Sequence, residues 1–292
     1  MIRFSKYIWL YFLISAFILV PGIFSLAAWR LKPAVDFTGG TLVELRFDQP
    51  ISQDKLEERA AAVGLSLVSL QQSDKTTYIL RMKEENAAKL DLLKDNLSRE
   101  SSISAAVVRN ETVGPILGKE LLTKALAAAV IAIIAILAYV AYAFKNIKFG
   151  VSAVIALFHD LLVILGSFSL LGKFAGVEVD TLYVTAFLTT MSFSVHDTIV
   201  VFDRIREYLR TDSRRTFEEI CDRALTETMN RSLANSMTII IMLAALVLLG
   251  GVTTKWFSVA LLVGTISGTY SSPFVATPIL ILWHRWEERR RH

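Results

Sequence analysis

The sequence predicts an all-α membrane bundle of six transmembrane helices with a small α+β, ferredoxin-like domain outside the cytoplasm. Six long apolar blocks carry this prediction, together with one segment of ordinary soluble composition between the first two blocks. The chain has 292 residues, of which 53% are hydrophobic and 20% are charged. This composition and its arrangement in blocks exclude a fully soluble protein and a disordered one. The single cysteine excludes a disulfide framework and a cysteine-based metal cluster.

Each apolar block is long enough to cross a bilayer, which takes about 20 residues. The blocks run over Tyr7–Trp29, Leu121–Phe144, Phe149–Gly172, Thr181–Phe202, Leu233–Gly250 and Phe257–Trp283. The first block is longer than the apolar core of a signal peptide, which has about 7–15 residues, so we predict an uncleaved helix. Pro273 and Pro278 lie within the sixth block and predict a kink there.

The short loops predict the orientation, because cytoplasmic loops collect Lys and Arg. Loops on one side of the blocks carry fifteen such residues, and the opposite short loops carry two, Lys173 and Lys255. Both termini are therefore predicted to be cytoplasmic. The basic charge is a topology signal, and we predict no nucleic-acid partner. The predicted parts are a first transmembrane helix (1–30), an extracytoplasmic domain (31–118) and a five-helix domain (119–292) with a cytoplasmic loop at 203–232.

The extracytoplasmic segment has the β-α-β-β-α-β order of a ferredoxin-like domain. Alternating apolar residues predict strands at Thr41–Phe47, Ser66–Gln71, Thr76–Met82 and Ile103–Val108, with a turn at Ser73-Asp74. The predicted helices are Asp54–Val63, capped by Ser52 and stopped by Gly64, and Glu84–Leu97. The segment has no His, no Cys and no phosphate-binding glycine motif, so a binding or mechanical role is predicted rather than catalysis.

Polar side chains inside the blocks are functional candidates, since an ionisable group in a span costs roughly 2.5–3.5 kcal/mol on insertion scales. They are His159 and Asp160 in the third block, Ser194, His196, Asp197 and Thr198 in the fourth, and Arg231 and Asn235 at the start of the fifth. Carboxylates and imidazoles beside one fixed cation suggest a proton path in which movement of Arg231 controls protonation. Packing is the alternative: Asp160 could lock two helices, His159 could be a packed residue, and Arg231 could be an orientation charge.

Other chemistries fit these residues less well. The His-Asp pairs at 159–160 and 196–197 lack the i, i+4 spacing of helical metal ligands, so no metal site is predicted. The Ser194, His196 and Asp197 group has no nucleophile elbow. An intramembrane aspartyl hydrolase is the least favoured alternative, because Ser-Val-His rather than Gly-x-Gly precedes Asp197. We therefore predict that the chain is not an enzyme.

Three motifs give the chain a family resemblance. Val35–Gly40 reads V-D-F-T-G-G, His196–Glu207 reads H-D-T-I-V-V-F-D-R-I-R-E, and Thr226–Leu233 reads T-E-T-M-N-R-S-L. With the six blocks and one external domain, these motifs resemble the SecF family. Members of that family are the smaller partners in SecD/SecF protein-export accessory complexes, within the resistance–nodulation–division superfamily. The resemblance covers the whole chain.

The resemblance implies partners and an activity. The chain would be a multi-pass protein of the cell (inner) membrane that pairs with SecD and works beside the SecYEG channel, with SecA acting indirectly, on a translocating preprotein. It would be coupled to H⁺, with Na⁺ as the alternative ion and no other cofactor. The family's proton path falls on Asp197 and Arg231, and His196 and Asp160 are included in the predicted path.

Two features of the family pattern remain open. His196 stands where Asn is usual, and because His can titrate near neutral pH the coupling ion could differ. Asp36, Gly39 and Gly40 are interpreted as a structural joint, since paired glycines permit unusual backbone angles or close approach. A hinge role is a hypothesis and an ordinary turn is the alternative.

A half-transporter of the same superfamily, exporting small molecules or lipids, is the second functional prediction.

Overall fold

The computed structural model describes residues 3–82, 87–101, 103–144, 146–212 and 214–291. Within these ranges six helices are long and apolar enough to cross a membrane. They run over Phe4–Trp29, Pro115–Ala143, Ile147–Ala175, Thr181–Thr211, Phe217–Leu249 and Thr253–Arg290. Each overlaps one of the predicted apolar blocks, so the predicted six-helix architecture is confirmed.

Helices and strands alternate only in the part of the chain between the first two of these apolar helices. In chain order they are a 3₁₀ turn (Phe4–Tyr7), α1 (Ile8–Trp29), α2 (Val35–Thr38), β1 (Gly40–Phe47), α3 (Gln53–Ala62), β2 (Leu67–Asp74), β3 (Thr77–Met82), α4 (Ala87–Ser101), β4 (Ala105–Val113), α5 (Pro115–Ala143), α6 (Ile147–Ala175), α7 (Thr181–Thr211), α8 (Phe217–Leu249), α9 (Val252–Ser271), a π segment (Ser272–Ala276) and α10 (Thr277–Arg291). The chain divides into a helical unit, Met1–Lys32 with Ala128–His292, and a second unit, Pro33–Ala127.

The helical unit is centred on α6 and on the last span, α9–α10. In each of these two spans, half of the most apolar stretch is buried within the protein. The buried share of the corresponding stretch is 6% in α5, 11% in α8 and 17% in the first span. Small residues allow the central helices to approach closely. A Cβ added to Gly166 of α6 would lie 2.6 Å from the Cα of Gly22 in α1, and a Cβ added to Gly264 of α9 would lie 2.2 Å from Thr190 Cγ2 in α7. Close contact of this kind is the usual role of small residues between membrane helices.

The last span is interrupted by a π segment, Ser272–Ala276, that includes Pro273. Proline cannot donate the helix hydrogen bond and displaces the preceding turn, which explains the widened segment at the predicted kink. The hydroxyl of Thr277 donates to the carbonyl of Ser272 at 3.1 Å and so satisfies a backbone acceptor that the irregular turn exposes.

The segment 203–232, predicted as a cytoplasmic loop between the fourth and fifth blocks, is largely helical. Helix α7 continues to Thr211 and α8 begins at Phe217, so only a five-residue link separates them. Thr216 and Glu219 form a capping box at the start of α8. The low hydropathy of this stretch made the predicted apolar blocks shorter than the two helices, and ion pairs such as Arg204 with Glu227 join these helices to each other.

The second unit is a four-stranded antiparallel sheet in the order β2-β3-β1-β4 with α3 and α4 packed on it. Its core contains the fully buried Leu45, Leu56 and Leu93, one from the central strand and one from each helix. The predicted ferredoxin-like order is confirmed. Strand β2 extends through the predicted turn at Ser73-Asp74, and the chain turns after Asp74, whose carboxylate accepts from Lys75 N at 2.7 Å.

The predicted helix ends in this unit differ in detail. Ser52 occupies the N-cap position of α3 but makes no capping hydrogen bond through its side chain. Gly64, with φ of 68°, follows the end of α3 as predicted. The predicted Glu84–Leu97 helix begins in residues 84–86, which lie outside the described residues, and α4 continues to Ser101.

Candidate functional site

Asp160 lies on α6 in the centre of the helical unit and is 2% exposed. Its Oδ2 accepts hydrogen bonds from the hydroxyls of Ser194 and Ser271, each at 2.6 Å. Its Oδ1 accepts from the hydroxyl of Ser267 at 2.6 Å and lies 3.0 Å from His159 Nδ1. A carboxylate inside a membrane protein requires such donors. The four partners tie α6, α7 and α9 together, which is the locking arrangement that the sequence left as an alternative.

His159 is packed beside this carboxylate and is 6% exposed. Its ring centroid lies 6.2 Å from that of Tyr270. Within the described ranges its Nε2 is buried without a hydrogen-bond partner. One ring nitrogen of His159 therefore has a polar partner, and the other has none among the described residues. An unpaired buried nitrogen of this kind is unfavourable.

Asp197 lies on α7 one helical turn beyond Ser194 and has different neighbours. It is half-buried, and its Oδ2 accepts from the hydroxyl of Ser232 in α8 at 2.7 Å. Ser194 donates to Asp160, and His196 is exposed. The side chains of Ser194, His196 and Asp197 therefore do not converge on one another. In the part of the chain that the structure describes, no three His, Cys, Asp or Glu side chains are grouped to hold a metal ion.

A small cavity beside Asp197 gathers three of the predicted site residues. Its volume is about 20 Å³, which is room for one water molecule. Its lining comes from α7, α8 and α9 and consists of Phe193, His196, Asp197, Asn235, Ser236, Ile239, Thr265, Gly268 and Thr269. The carboxylate, the imidazole and the amide thus share one space that water can enter.

Arg231 lies on α8 next to Ser232 and is exposed. Among the described residues no ion pair joins Arg231 to Asp197. The hydroxyl of Ser232 contacts Asp197 instead, although Arg231 was the predicted neighbour. Instead, Arg231 lines a cleft of about 510 Å³ between α7 and α8. The other lining residues are Val200, Asp203, Arg204, Glu207, Glu227 and Thr228. Sequence reasoning missed Ser232 and Glu227, although both lie in the quoted Thr226–Leu233 motif.

The cleft is lined with paired charges. Arg204 donates to Glu207 at 2.6 Å and also to Glu227, which accepts a further bond from Tyr208. Arg223 stacks on the Tyr208 ring, 4.2 Å from its centroid. These contacts join the end of α7 to the start of α8, so the two helices form one polar surface there.

An apolar cavity of about 90 Å³ lies between α7, α8 and the π segment. It shares Thr228 with the charged cleft and Thr269 with the small cavity, and Ser232 lines it. Thr198 lies beside the π segment, with its Oγ1 2.9 Å from Ser272 Oγ. The cleft, the apolar cavity and the small cavity therefore adjoin one another, with an apolar stretch between two polar ones.

The D-F-T-G-G motif lies entirely in the second unit, where its backbone requires glycine. Gly39 has φ of 74° and Gly40 has φ of 130°. A Cβ on Gly39 would lie 2.7 Å from the Cα of Pro115, at the start of α5. Asp36 acts electrostatically on Arg109, whose pKa is raised first by its hydrogen bond to Glu111 and further by this carboxylate. The motif is a tight backbone joint, and a hinge motion there remains a hypothesis.

The chain is similar to membrane proteins of protein export. The family model for the C-terminal region of the SecD/SecF protein export membrane proteins matches residues 93–286, and the model for the SecD/SecF GG motif matches residues 24–51. The protein translocase subunit SecF of Thermobaculum terrenum is 37% identical over 97% of this chain and 94% of its own length. That of Desulfurispirillum indicum is 38% identical over 92% of this chain and 88% of its own length.

A solved structure shares the fold. The crystal structure of SecDF, a translocon-associated membrane protein from Thermus thermophilus, matches with a TM-score of 0.87 and 28% identity. The match covers 97% of this chain and 39% of that chain. The chain therefore spans about two fifths of the solved SecDF polypeptide.

Proposed function

Since the chain belongs to the SecD/SecF family of protein-export membrane proteins, as a SecF-type subunit in protein translocation, we propose that it uses proton flow across the membrane to assist export. It is a multi-pass membrane protein. In the proposal it lies in the cell (inner) membrane with cytoplasmic termini and residues 31–118 outside. SecD is its direct partner, and SecYEG, SecA and a translocating preprotein complete the assembly. It breaks no covalent bond in the substrate.

Asp197 is the proposed proton carrier, and its bonding supports this choice over Asp160. Asp160 has four polar partners, so a change in its charge disturbs a network across three helices. In the described part of the chain Asp197 accepts a hydrogen bond from Ser232 and borders a cavity with room for one water molecule. It can therefore exchange a proton with water while the helix lock at Asp160 stays intact. In this proposal Asp160 supports the path by holding α7 in place.

The exposed polar face of α7 and α8 is the proposed SecD contact. His196, Arg231, Asn235 and Thr238 are exposed on these helices. Polar groups in a span face protein or water rather than lipid, because hydrocarbon cannot satisfy them. By contrast, α5 exposes apolar side chains such as Ile131, at 66%, which suit a lipid surface.

The three adjoining cavities suggest the route. A proton would enter the small polar cavity, neutralise Asp197, and reach the charged cleft of Arg231 and Glu227 on the cytoplasmic side. In the proposal the apolar lining of the cavity between them disfavours water and so keeps the two polar spaces apart. Protonation of Asp197 weakens its bond from Ser232 and so frees α8 to move into the apolar space, carrying Arg231 with it.

The test is Asp197→Asn in vesicles that contain the chain with SecD, SecYEG and SecA. We expect assembly with SecD to be retained and proton-dependent stimulation of export to be lost, since Asn cannot carry the proton. Asp95→Asn, the same change at an exposed position of α4, is the matched control and should behave as the unmodified chain. Full stimulation by Asp197→Asn would refute the proton path. Stimulation that follows a Na⁺ gradient instead would replace H⁺ with the alternative ion.

A further inference from the structure

The end of α1 has an unusual backbone that the helical unit holds in place. Arg30 has φ of 60° and ψ of −170°, and it is the one non-glycine residue with positive φ in the described part of the chain. Bulky residues avoid this region, and they persist there only where surrounding contacts enforce it. Arg30 N donates to the carbonyl of Leu26 at 3.1 Å, and its own carbonyl accepts from the hydroxyl of Ser169 in α6 at 2.8 Å.

Two residues later the chain is held by a different part of the unit. The carbonyl of Lys32 accepts from Val179 N at 2.8 Å. Lys32 Nζ lies 3.1 Å from Oε1 of Glu178, whose side chain is only 6% exposed. Both partners belong to the short link between α6 and α7. A buried carboxylate holds its cation in a defined geometry, because loss of the partner leaves a charge without compensation.

The link that grips Lys32 is fixed to both helices. Gly176, in the left-handed conformation, ends α6, and Val177 N donates to the carbonyl of Leu171. Asp180 caps α7 by accepting from Tyr183 N at 2.7 Å. Val179 directly precedes that cap, so any shift of α7 along its axis displaces Val179.

Helix α7 is continuous from Thr181 to Thr211, and Asp197 lies about 24 Å along it at 1.5 Å per residue. Arg30 is held by α6, whereas Lys32 is held by the residues before α7. A shift of α7 against α6 must therefore rotate the chain between these two attachment points, Arg30 and Lys32. The next residue, Pro33, has a fixed φ and also restricts Lys32, so the turn is passed on along the chain rather than absorbed.

We propose that the Arg30–Lys32 segment is the mechanical coupling element that transmits movement of α7 to the chain entering the extracytoplasmic domain. The Lys32–Glu178 ion pair and the Lys32–Val179 backbone bond are its attachment to α7, and the Ser169–Arg30 bond is its fixed point. The inference rests on the proposed proton site at Asp197, which would supply the movement. It assigns Lys32 and Glu178 a positioning role in export and none in proton transfer.

The experiment separates coupling from proton flow by measuring both in the same vesicles, which hold the chain with SecD, SecYEG and SecA. Lys32→Glu and Glu178→Lys each place like charges together. We expect proton uptake to continue while proton-dependent export falls about fivefold or more, the lower end of ordinary coupling between sites. The double variant with exchanged charges should regain most of the export. The exposed pair Glu120 and Lys124, 2.7 Å apart, is the matched control, and its reversal should change neither activity.

Each outcome bears on a different claim. Export at the unmodified rate in both single variants would overturn the coupling role. Loss of proton uptake and export together, without recovery in the exchanged variant, would also overturn it and leave a purely structural ion pair. A chain that shows no proton uptake when unmodified refutes the proposed function. In that case Lys32 and Glu178 would still be supported as a coupling pair if export falls in the single variants and recovers in the double variant with exchanged charges.

Discussion

Removal of the three serine hydroxyls around Asp160 should reveal how the buried carboxylate locks the bundle. Ser194, Ser267 and Ser271 each donate one hydrogen bond of 2.6 Å to it, from α7 and α9. Each Ser→Ala change deletes one donor and leaves the rest of the packing in place. The matched control is Ser258→Ala, also buried in α9, because the Ser258 hydroxyl bonds at 2.8 Å to the carbonyl of Thr254 in its own helix.

The expected magnitude follows from measurements of hydrogen bonds between membrane helices, which average about 0.6 kcal/mol and reach about 1.7 kcal/mol. The acceptor here is a carboxyl group with 2% exposure, so each single change should lie toward the upper value. The triple change leaves Asp160 with His159 as its remaining partner and would strand a buried charge, which costs roughly 3–5 kcal/mol if the charge persists. The control should cost near zero, since Thr254 retains its place in the helix.

Reversible unfolding in detergent or bicelles measures these free energies, and proton uptake by the detergent-solubilised triple variant shows whether Asp160 becomes protonated. We expect the single changes to lower the free energy of unfolding by about 1–2 kcal/mol each. A loss in the single variants no larger than in Ser258→Ala would refute the argument that these hydroxyls lock the bundle through Asp160.

Two further predictions concern individual side chains. Tyr78→Phe should lower the free energy of unfolding by about 1 kcal/mol, because the Tyr78 hydroxyl donates to the carbonyl of Ile51 in the core of the second unit. Burial raises the pKa of Tyr78 above its ordinary value of 10.0, so its contribution is full below pH 10 and is lost as the pH rises through the folded value. Chemical denaturation at alkaline pH should therefore show a steeper loss in the unmodified chain than in Tyr78→Phe, and parallel curves would contradict this. His196→Asn should preserve export but change the dependence of export on pH. The reason is that His196 lines the cavity beside Asp197 and Asn cannot take up a proton. An identical pH profile in the two proteins would leave His196 a packing residue.

Hydrophobic blocks were sufficient to predict the spans because a bilayer imposes one length on every crossing helix. The same measure identified α7 and α8 but placed the end of α7 too early and the start of α8 too late, because charged residues lower the hydropathy there. There the helices continue because Arg204, Tyr208 and Glu227 join them and the capping box fixes the start of α8. The ferredoxin-like order was predictable from alternation, whereas the end of β2 depends on a local contact, the hydrogen bond from Lys75 N to the Asp74 carboxylate.

The site was only partly predictable, since helical periodicity gives the face of a residue but not the helix opposite. Asp160 was identified, yet its partners Ser267 and Ser271 come from a helix more than 100 residues away in the chain. Ser232 rather than Arg231 contacts Asp197, a difference of one residue that turns the side chain by about 100° around the helix. No sequence pattern indicated that Lys32 and Glu178 would meet.

The uncovered polar stripe of His196, Arg231 and Asn235 also bears on how a cell makes this subunit. A nascent chain that enters lipid with such groups unshielded loses part of its insertion free energy, roughly 2.5–3.5 kcal/mol for an Arg near the centre of a span and less near the interface. Membrane insertion together with the partner subunit, which would cover these groups, avoids that loss. We expect surplus copies to be weakly anchored and to be removed by membrane quality control, so matched synthesis of the two halves becomes a requirement set by the chemistry of the exposed face of α7 and α8.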